Sequence, residues 1–233
     1  MSLWRLLPLE LRRRRLARIS PPGPLREFHA VPFPADGSDW RAAEFLALDF
    51  EATGGDPASE DIVSAGWVLV RGGAVELGTA RRRLVRTTRA MPERSAVLHA
   101  ITDDDAAAGE PLDRVLADLL RDLAGRVLIA HYSPAELGFL DAACRRCFGG
   151  RLLVPVVDTL QLALRRLQHE GQEPSPGELR LDALRTRLGL PVHALHDSLG
   201  DAIATAELFL AQAEHLGGGD RLALRSLRLR GPG

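Results

Sequence analysis

The chain has 233 residues, of which 45% are hydrophobic and 26% charged, with a formal net charge of −1. That length suits one domain of ordinary size with extensions, and the composition suits a soluble fold with a real core. The near-zero charge excludes a global basic field for nucleic acid. No run of about 18 apolar residues exists, which excludes a simple membrane helix. Two cysteines, Cys144 and Cys147, exclude a disulfide framework.

All 30 basic residues are arginine. Arginine favours bidentate phosphate contacts, so any phosphate-binding surface gains from that bias. The N-terminal charges follow a very short apolar run, the reverse of a secretory signal. A cytoplasmic protein that does not touch membranes is the expectation.

In chain order, residues 1–43 read as an Arg/Leu-rich extension. Its leucines could line one side of short helices broken at Pro8, and SPPGPL at 20–25 reads as an irregular connector. Phe45–Phe50 and Ile62–Arg71 read as strands, Gly72-Gly73 as a hairpin turn, and Val75–Val85 as a third strand. Leucines at helical spacing predict a helix within 109–126. A short strand follows at Val127–Ala130, then a helix at 134–147, a strand at Leu153–Val157 and a helix at Thr159–His169. Leu179–Leu188 reads as a helix, and 198–215 as the last one, with Asp197 or Ser198 as N-cap. Residues 217–233 read as a basic tail, expected to be disordered. The pattern predicts an α/β domain over 44–216, with a mixed five-stranded sheet of three antiparallel strands followed by parallel ones, flanked by helices.

Three segments carry the chemistry. FLALDFEATGG ends a strand with Asp49 and Glu51. Strand side chains alternate, so both carboxylates share a face, with Cα atoms roughly 6.5–7 Å apart. Such a pair can reach one divalent ion, although a strand end alone could also carry it. Far downstream, HDSLGD at 196–201 opens a helix. A carboxylate in that first turn, Asp201, can point back at the strand. His196 lies on the preceding loop, and its ordinary pKa of about 6.5 suits proton abstraction from water. Between them stands AHYSPAELGFL at 130–140.

These motifs, with LHAIT at 98–102 and VVDTLQLA at 156–163, resemble the DEDDh 3′–5′ exonucleases, which include the proofreading epsilon subunit of bacterial DNA polymerase III. The resemblance covers residues 44–215. It implies a ribonuclease-H-like fold and hydrolysis of terminal phosphodiesters of DNA or RNA, with release of nucleoside 5′-monophosphates. It also implies two divalent cations, Mg²⁺ or Mn²⁺, about 3.5–4 Å apart. Asp49 would bridge both ions, Glu51 and Asp201 would complete the first, and Glu136 would serve the second. His196 would be the general base. Thr53, Gly54, His99 and Tyr132 would contact the terminal nucleotide.

The chain departs from the pattern at several positions. Glu136 stands where the family has Asp, which implies retained activity with a stronger Mn²⁺ preference. Tyr132 replaces the usual Asn, and Ala135 the usual Phe. Gly55 replaces a Leu that packs on the terminal base, which implies single-stranded or already frayed ends. Glu136 and Tyr132 leave open a second reading, a weakly active or inactive accessory module of a polymerase or repair complex. In either reading a partner could dock through the first 43 residues. Arg81, Arg83 and Arg86–Arg89 read equally as a solvated edge or a phosphate track. Cys144 and Cys147 read as buried helix residues, since a zinc site would need two further ligands.

Overall fold

The computed structural model describes residues 4, 7–87, 108–192 and 197–229. The sheet has the strands β1 (Phe45–Ala52), β2 (Ile62–Arg71), β3 (Ala74–Leu84), β4 (Val127–Ala130) and β5 (Val156–Asp158). They run in the order β3-β2-β1-β4-β5. β1 pairs antiparallel with β2 and parallel with β4; β2–β3 is antiparallel and β4–β5 parallel. The mixed five-stranded sheet expected from the sequence is therefore present, with β1 at its centre.

Local chemistry explains the connections. Gly72 and Gly73 turn the β2–β3 hairpin with φ of 55° and 79°. Two successive positive φ values are what a tight two-residue hairpin requires. β2 is buried along nearly its whole length, whereas β3, at the sheet edge, has only exposed and half-buried residues. The arginines at 81–83 lie on that edge.

Alternation along β1 sorts the core into two layers. Leu46 and Leu48 pack with α3 (Leu112–Leu123) and α4 (Ser133–Phe148) on one face. Phe45 and Ala47 pack on the other with Ala206, Phe209 and Ala213 of α7 (Ser198–Gly217). Asp49 and Glu51 continue the Phe45–Ala47 parity, so the strand directs them toward the layer that α7 occupies. Between these elements lie α5 (Thr159–His169) and α6 (Leu181–Arg187).

Within the first 43 residues, the described helices contribute to the same core. α1 (Leu9–Ile19) packs on α2 (Pro24–Ala30), whose Leu25 and Phe28 are buried with the α3–α4 layer. The connector expected at 20–25 gives way to helix at Pro24, because proline suits the first helical position and Gly23 supplies φ of 134° before it. A short 3₁₀ turn, Trp40–Ala42, buries Trp40 against Phe209.

Residues 221–229 are ordered, contrary to the expected disorder. α8 (Leu224–Leu227) buries both terminal leucines, the Leu224 N–H donates to Ser38 O (2.9 Å), and the Leu229 N–H donates to Val156 O (2.9 Å).

Two element boundaries also move. β5 begins at Val156 rather than Leu153, because Pro155 has no N–H to donate and only its carbonyl pairs, with Leu128 N (2.9 Å). α6 spans Leu181–Arg187, shorter at both ends than the periodicity suggested. Cys144 is buried and Cys147 half-buried within α4, both as free thiols.

Candidate active site

The end of β1 and the first turn of α7 converge. Asp49, Glu51 and Asp201 each offer a carboxylate oxygen, and these atoms lie within 4.8 Å of one another. Two features bring α7 this close. Asp197 caps it, accepting from Gly200 N (3.0 Å), so the N-cap is Asp197 rather than Ser198. Gly66 of β2, the partner of Asp49 in the ladder, has no side chain to hold the helix away. The Ser64 and Ser198 hydroxyls then bond at 2.7 Å. Arg82 of β3 reaches Asp197 at 2.9 Å, fixing the helix start from the sheet edge.

Glu136 sits in the first turn of α4, 7% exposed, and its Oε2 is buried with no hydrogen-bond partner. Burial pushes its carboxyl up to about 8, and Asp158 and Glu51 add to the rise. Asp49 is pushed well above the ordinary carboxylate range, first by burial and then by Glu136, Glu51, Asp201 and Asp197. Glu136 therefore joins the same electrostatic cluster, though the close triad is Asp49, Glu51 and Asp201. A buried carboxylate oxygen without a donor beside three crowded carboxylates fits a hard divalent cation, which takes all-oxygen ligands.

The other expected site residues fall as follows. The Thr53 hydroxyl accepts from Asp61 N (3.0 Å) and bonds Glu60, so it stabilises the 53–61 loop. Gly54 lies against Glu60, where a Cβ would come within 2.8 Å of the Glu60 carboxyl carbon. Tyr132 is 56% exposed at the mouth of the site and has φ of 65°, the one positive φ outside glycine among the described residues. His196 and His99 lie outside the described residues.

One matching family description, Exonuclease (RNase_T), covers residues 46–209. This chain belongs to that exonuclease family. Among curated relatives, a DNA polymerase III subunit epsilon-like protein of Rhodobacter capsulatus is 35% identical over 71% of this chain and 23% of its own length. The DNA polymerase III subunit epsilon of Aquifex aeolicus is 26% identical over 78% of this chain and 89% of its own. The PolC-type DNA polymerase III of Thermotoga maritima is 29% identical, and this chain spans only 12% of that much longer protein. In fold, the chain resembles E. coli Exonuclease I bound to a dA16 oligonucleotide, with a TM-score of 0.63 and 17% identity over 75% of this chain and 43% of that one.

The exonuclease domain also uses residues that sequence reasoning did not single out. Asp158, fully buried, accepts from Leu160 N (2.9 Å) and Gln161 N (3.2 Å) to cap α5. It also accepts from Ser133 N (2.8 Å) and Tyr132 N (3.3 Å), replacing the side-chain cap that α4 lacks. One carboxylate thus starts two helices and anchors the turn that presents Glu136. His131 lies half-buried beside it, between Thr159 and Leu179. Both occur in quoted motifs, VVDTLQLA and AHYSPAELGFL, and an Asp directly before a helical run is a capping signal.

A groove of about 620 Å³ opens from Asp49 and Asp201. Its walls include Tyr132, Leu160 and the segment from Pro174 to Asp182. Among the described residues, no helix is long and apolar enough to cross a membrane.

Proposed function

We propose that this chain is a metal-dependent 3′–5′ exonuclease that releases nucleoside 5′-monophosphates from single-stranded or frayed DNA or RNA. The observation that carries it is the convergence of Asp49, Glu51 and Asp201 at the mouth of an open groove. Asp49, Glu51 and Asp201 would hold one Mg²⁺ or Mn²⁺, and Glu136 with Asp49 the second. When bound, such ions stabilise charge on the attacking and leaving oxygens of an in-line displacement. Hard oxygen donors favour these metals over softer ones.

The chain's own groups do the rest. His196 takes a proton from the attacking water at an imidazole nitrogen. Water attacks the terminal phosphorus, the bond to the 3′ oxygen of the preceding nucleotide breaks with its electron pair going to that oxygen, which takes up a proton from solvent, and the phosphorus inverts. Tyr132, at the groove mouth, contacts the terminal nucleotide. Thr53 and Gly54 shape the β1 side through their contacts with Glu60. His99 completes the contacts to the substrate end.

The relatives named as polymerase III subunits support a polymerase or repair partner. We place that contact on α1, where Leu11 and Ile19 are 50% and 64% exposed beside exposed Arg14 and Arg18. Deleting residues 1–40 would strip Leu25 and Phe28 from the core, so Leu11→Glu with Ile19→Glu is the cleaner test. Loss of partner capture in that variant supports the contact, and unchanged capture rejects it.

The deciding experiment for the chemistry is digestion of 5′-labelled single-stranded DNA and RNA of equal sequence with Mg²⁺ or Mn²⁺. A metal-dependent ladder from the 3′ end, absent in Asp49→Ala, is expected. Undiminished turnover in Asp49→Ala overturns the assignment.

A further inference from the structure

Resting on the exonuclease reading, we infer that residues 174–181 form a base-stacking wall for an unpaired 3′ end, and that His131 is the residue that positions it. No strand or helix lies between the end of α5 at His169 and the start of α6 at Leu181. The segment nevertheless holds a defined shape. Glu178 accepts from Ser175 N (2.8 Å) and donates its own N–H to Ser175 O (3.0 Å), and Gly177 turns the chain with φ of 82°. Arg187 holds Glu178 from α6 at 2.6 Å.

His131 ties this turn to the end of β4. Its Nε2 lies 3.0 Å from Leu179 O, and its Nδ1 lies 2.8 Å from the Thr159 hydroxyl. A carbonyl can only accept, so Nε2 carries the proton and donates to Leu179 O. Nδ1 faces the Thr159 hydroxyl, which also lies 3.4 Å from Ala130 O. One neutral imidazole thus spans from the β4–α4 junction, next to the catalytic end of the sheet, to the wall. Burial, which lowers the proton affinity of His131, keeps it in that neutral form.

The wall faces Asp49 and Asp201 across the groove with Pro174, Pro176 and Leu179. Proline rings and a leucine give apolar surface against which the face of any base can pack, so contact there is tolerant of sequence. Exposed Arg180 stands beside them, 3.6 Å from Asp182 at the surface, where its guanidinium can also meet a backbone phosphate. Stacking requires bases released from a complementary strand, which makes the wall a selector of unpaired ends.

The test compares wild type, His131→Ala and His131→Gln on two substrates: a ten-nucleotide oligothymidylate and methyl 4-nitrophenyl phosphate, a diester with no base. His131→Ala is expected to raise KM for the oligonucleotide roughly tenfold with kcat little changed, and to leave the small diester within about twofold. His131→Gln, whose amide can donate to Leu179 O, is expected to recover most of the loss. Equal losses on both substrates, or an unchanged oligonucleotide KM, overturn the inference. Anisotropy of the labelled oligonucleotide on an Asp49→Ala background gives a readout independent of turnover, with roughly tenfold weaker binding expected on adding His131→Ala. If wild type cleaves nothing, the exonuclease reading fails while the binding series still decides the wall. The pair Pro174→Ser and Pro176→Ser alters the wall without touching His131, and normal affinity in that well-folded variant also rejects it.

Discussion

Gly66 stands directly opposite Asp49 in the antiparallel β1–β2 ladder, and the backbone of α7 rests on it. A Cβ at position 66 would come within 2.2 Å of the Ser198 carbonyl carbon and 2.3 Å of Leu199 N. These are backbone atoms of the helix that carries Asp201, so no side chain can rotate away. Gly66→Ala is expected to push the start of α7 off the sheet. The stability loss should be about 1–3 kcal/mol or more, the usual scale of overpacking. Nuclease activity should fall further than stability, because Asp201 leaves Asp49 and Glu51. Gly78→Ala, on β3 with open space around its Cβ, is the control. Thermal melts and turnover of the two variants check the argument, and a Gly66→Ala protein as active as Gly78→Ala would contradict it.

Glu136 is the one carboxylate of the site at which this domain departs from the pattern its motifs resemble. Its carboxylate reaches from α4 with one methylene more than Asp would have, and Oε2 has no protein donor. Glu136→Asp is expected to keep the fold, since the first turn of α4 is held by Asp158 rather than by Glu136. It should shift the ratio of Mn²⁺- to Mg²⁺-supported turnover severalfold toward Mg²⁺. Glu136→Ala should reduce turnover with both metals. An unchanged metal ratio in Glu136→Asp would show that side-chain reach at 136 does not set metal preference.

The strands, the hairpin and the shared face of Asp49 and Glu51 were legible because each rests on a local rule, whereas Asp201 was joined to them through the resemblance. Alternation put Asp49 and Glu51 on one face, the Gly72-Gly73 pair announced the hairpin, and the Asp197 cap announced α7. Gly66 was not legible as a site residue, because its importance comes from a helix about 130 positions away. Asp158 carried a capping signal for α5, but its second set of bonds, to Tyr132 and Ser133, depends on β4 and β5 lying side by side. Leu224 and Leu227 sat in an arginine-rich stretch whose composition hid their burial. The exposed arginines there mask a short apolar face that only the core of Trp40 and Phe209 makes worthwhile.

His29 ties the first helices to the pH range in which the fold is stable. It is fully buried on α2, and neither ring nitrogen has a hydrogen-bond partner. Burial, aided by the charge of Arg13, pushes its pKa down from 6.5 to about 4. Between those values the unfolded chain binds a proton that the folded chain refuses, so stability is lost as pH falls through that window. The loss is on the order of 3 kcal/mol at most. Glu10, held down to about 2 by its hydrogen bond to Arg13, releases its contribution only as pH falls below its ordinary 4.5. His29→Leu, which fills similar space without a titrating group, should flatten the slope between pH 6.5 and 4.5 relative to wild type. Urea denaturation across that range measures it. Parallel slopes in the two proteins would show that His29 is protonated alike in both states.

Tyr132 places backbone strain at the mouth of the groove. Its φ of 65° is a conformation that bulky side chains rarely adopt and that Asn tolerates well. The side chain is 56% exposed, so little burial offsets the strain. Tyr132→Asn is therefore expected to stabilise the fold by about 1 kcal/mol, at the low end of the cost of such conformations. The same change removes an aromatic ring beside Asp49 and Asp201, and base–aromatic stacking contributes about 1–3 kcal/mol per base. Oligonucleotide affinity should fall roughly fivefold or more while the melting temperature rises. Those two shifts in opposite directions are what strain kept for substrate contact implies. A Tyr132→Asn protein that binds as tightly as wild type and melts higher would mean that the tyrosine serves neither the fold nor the substrate.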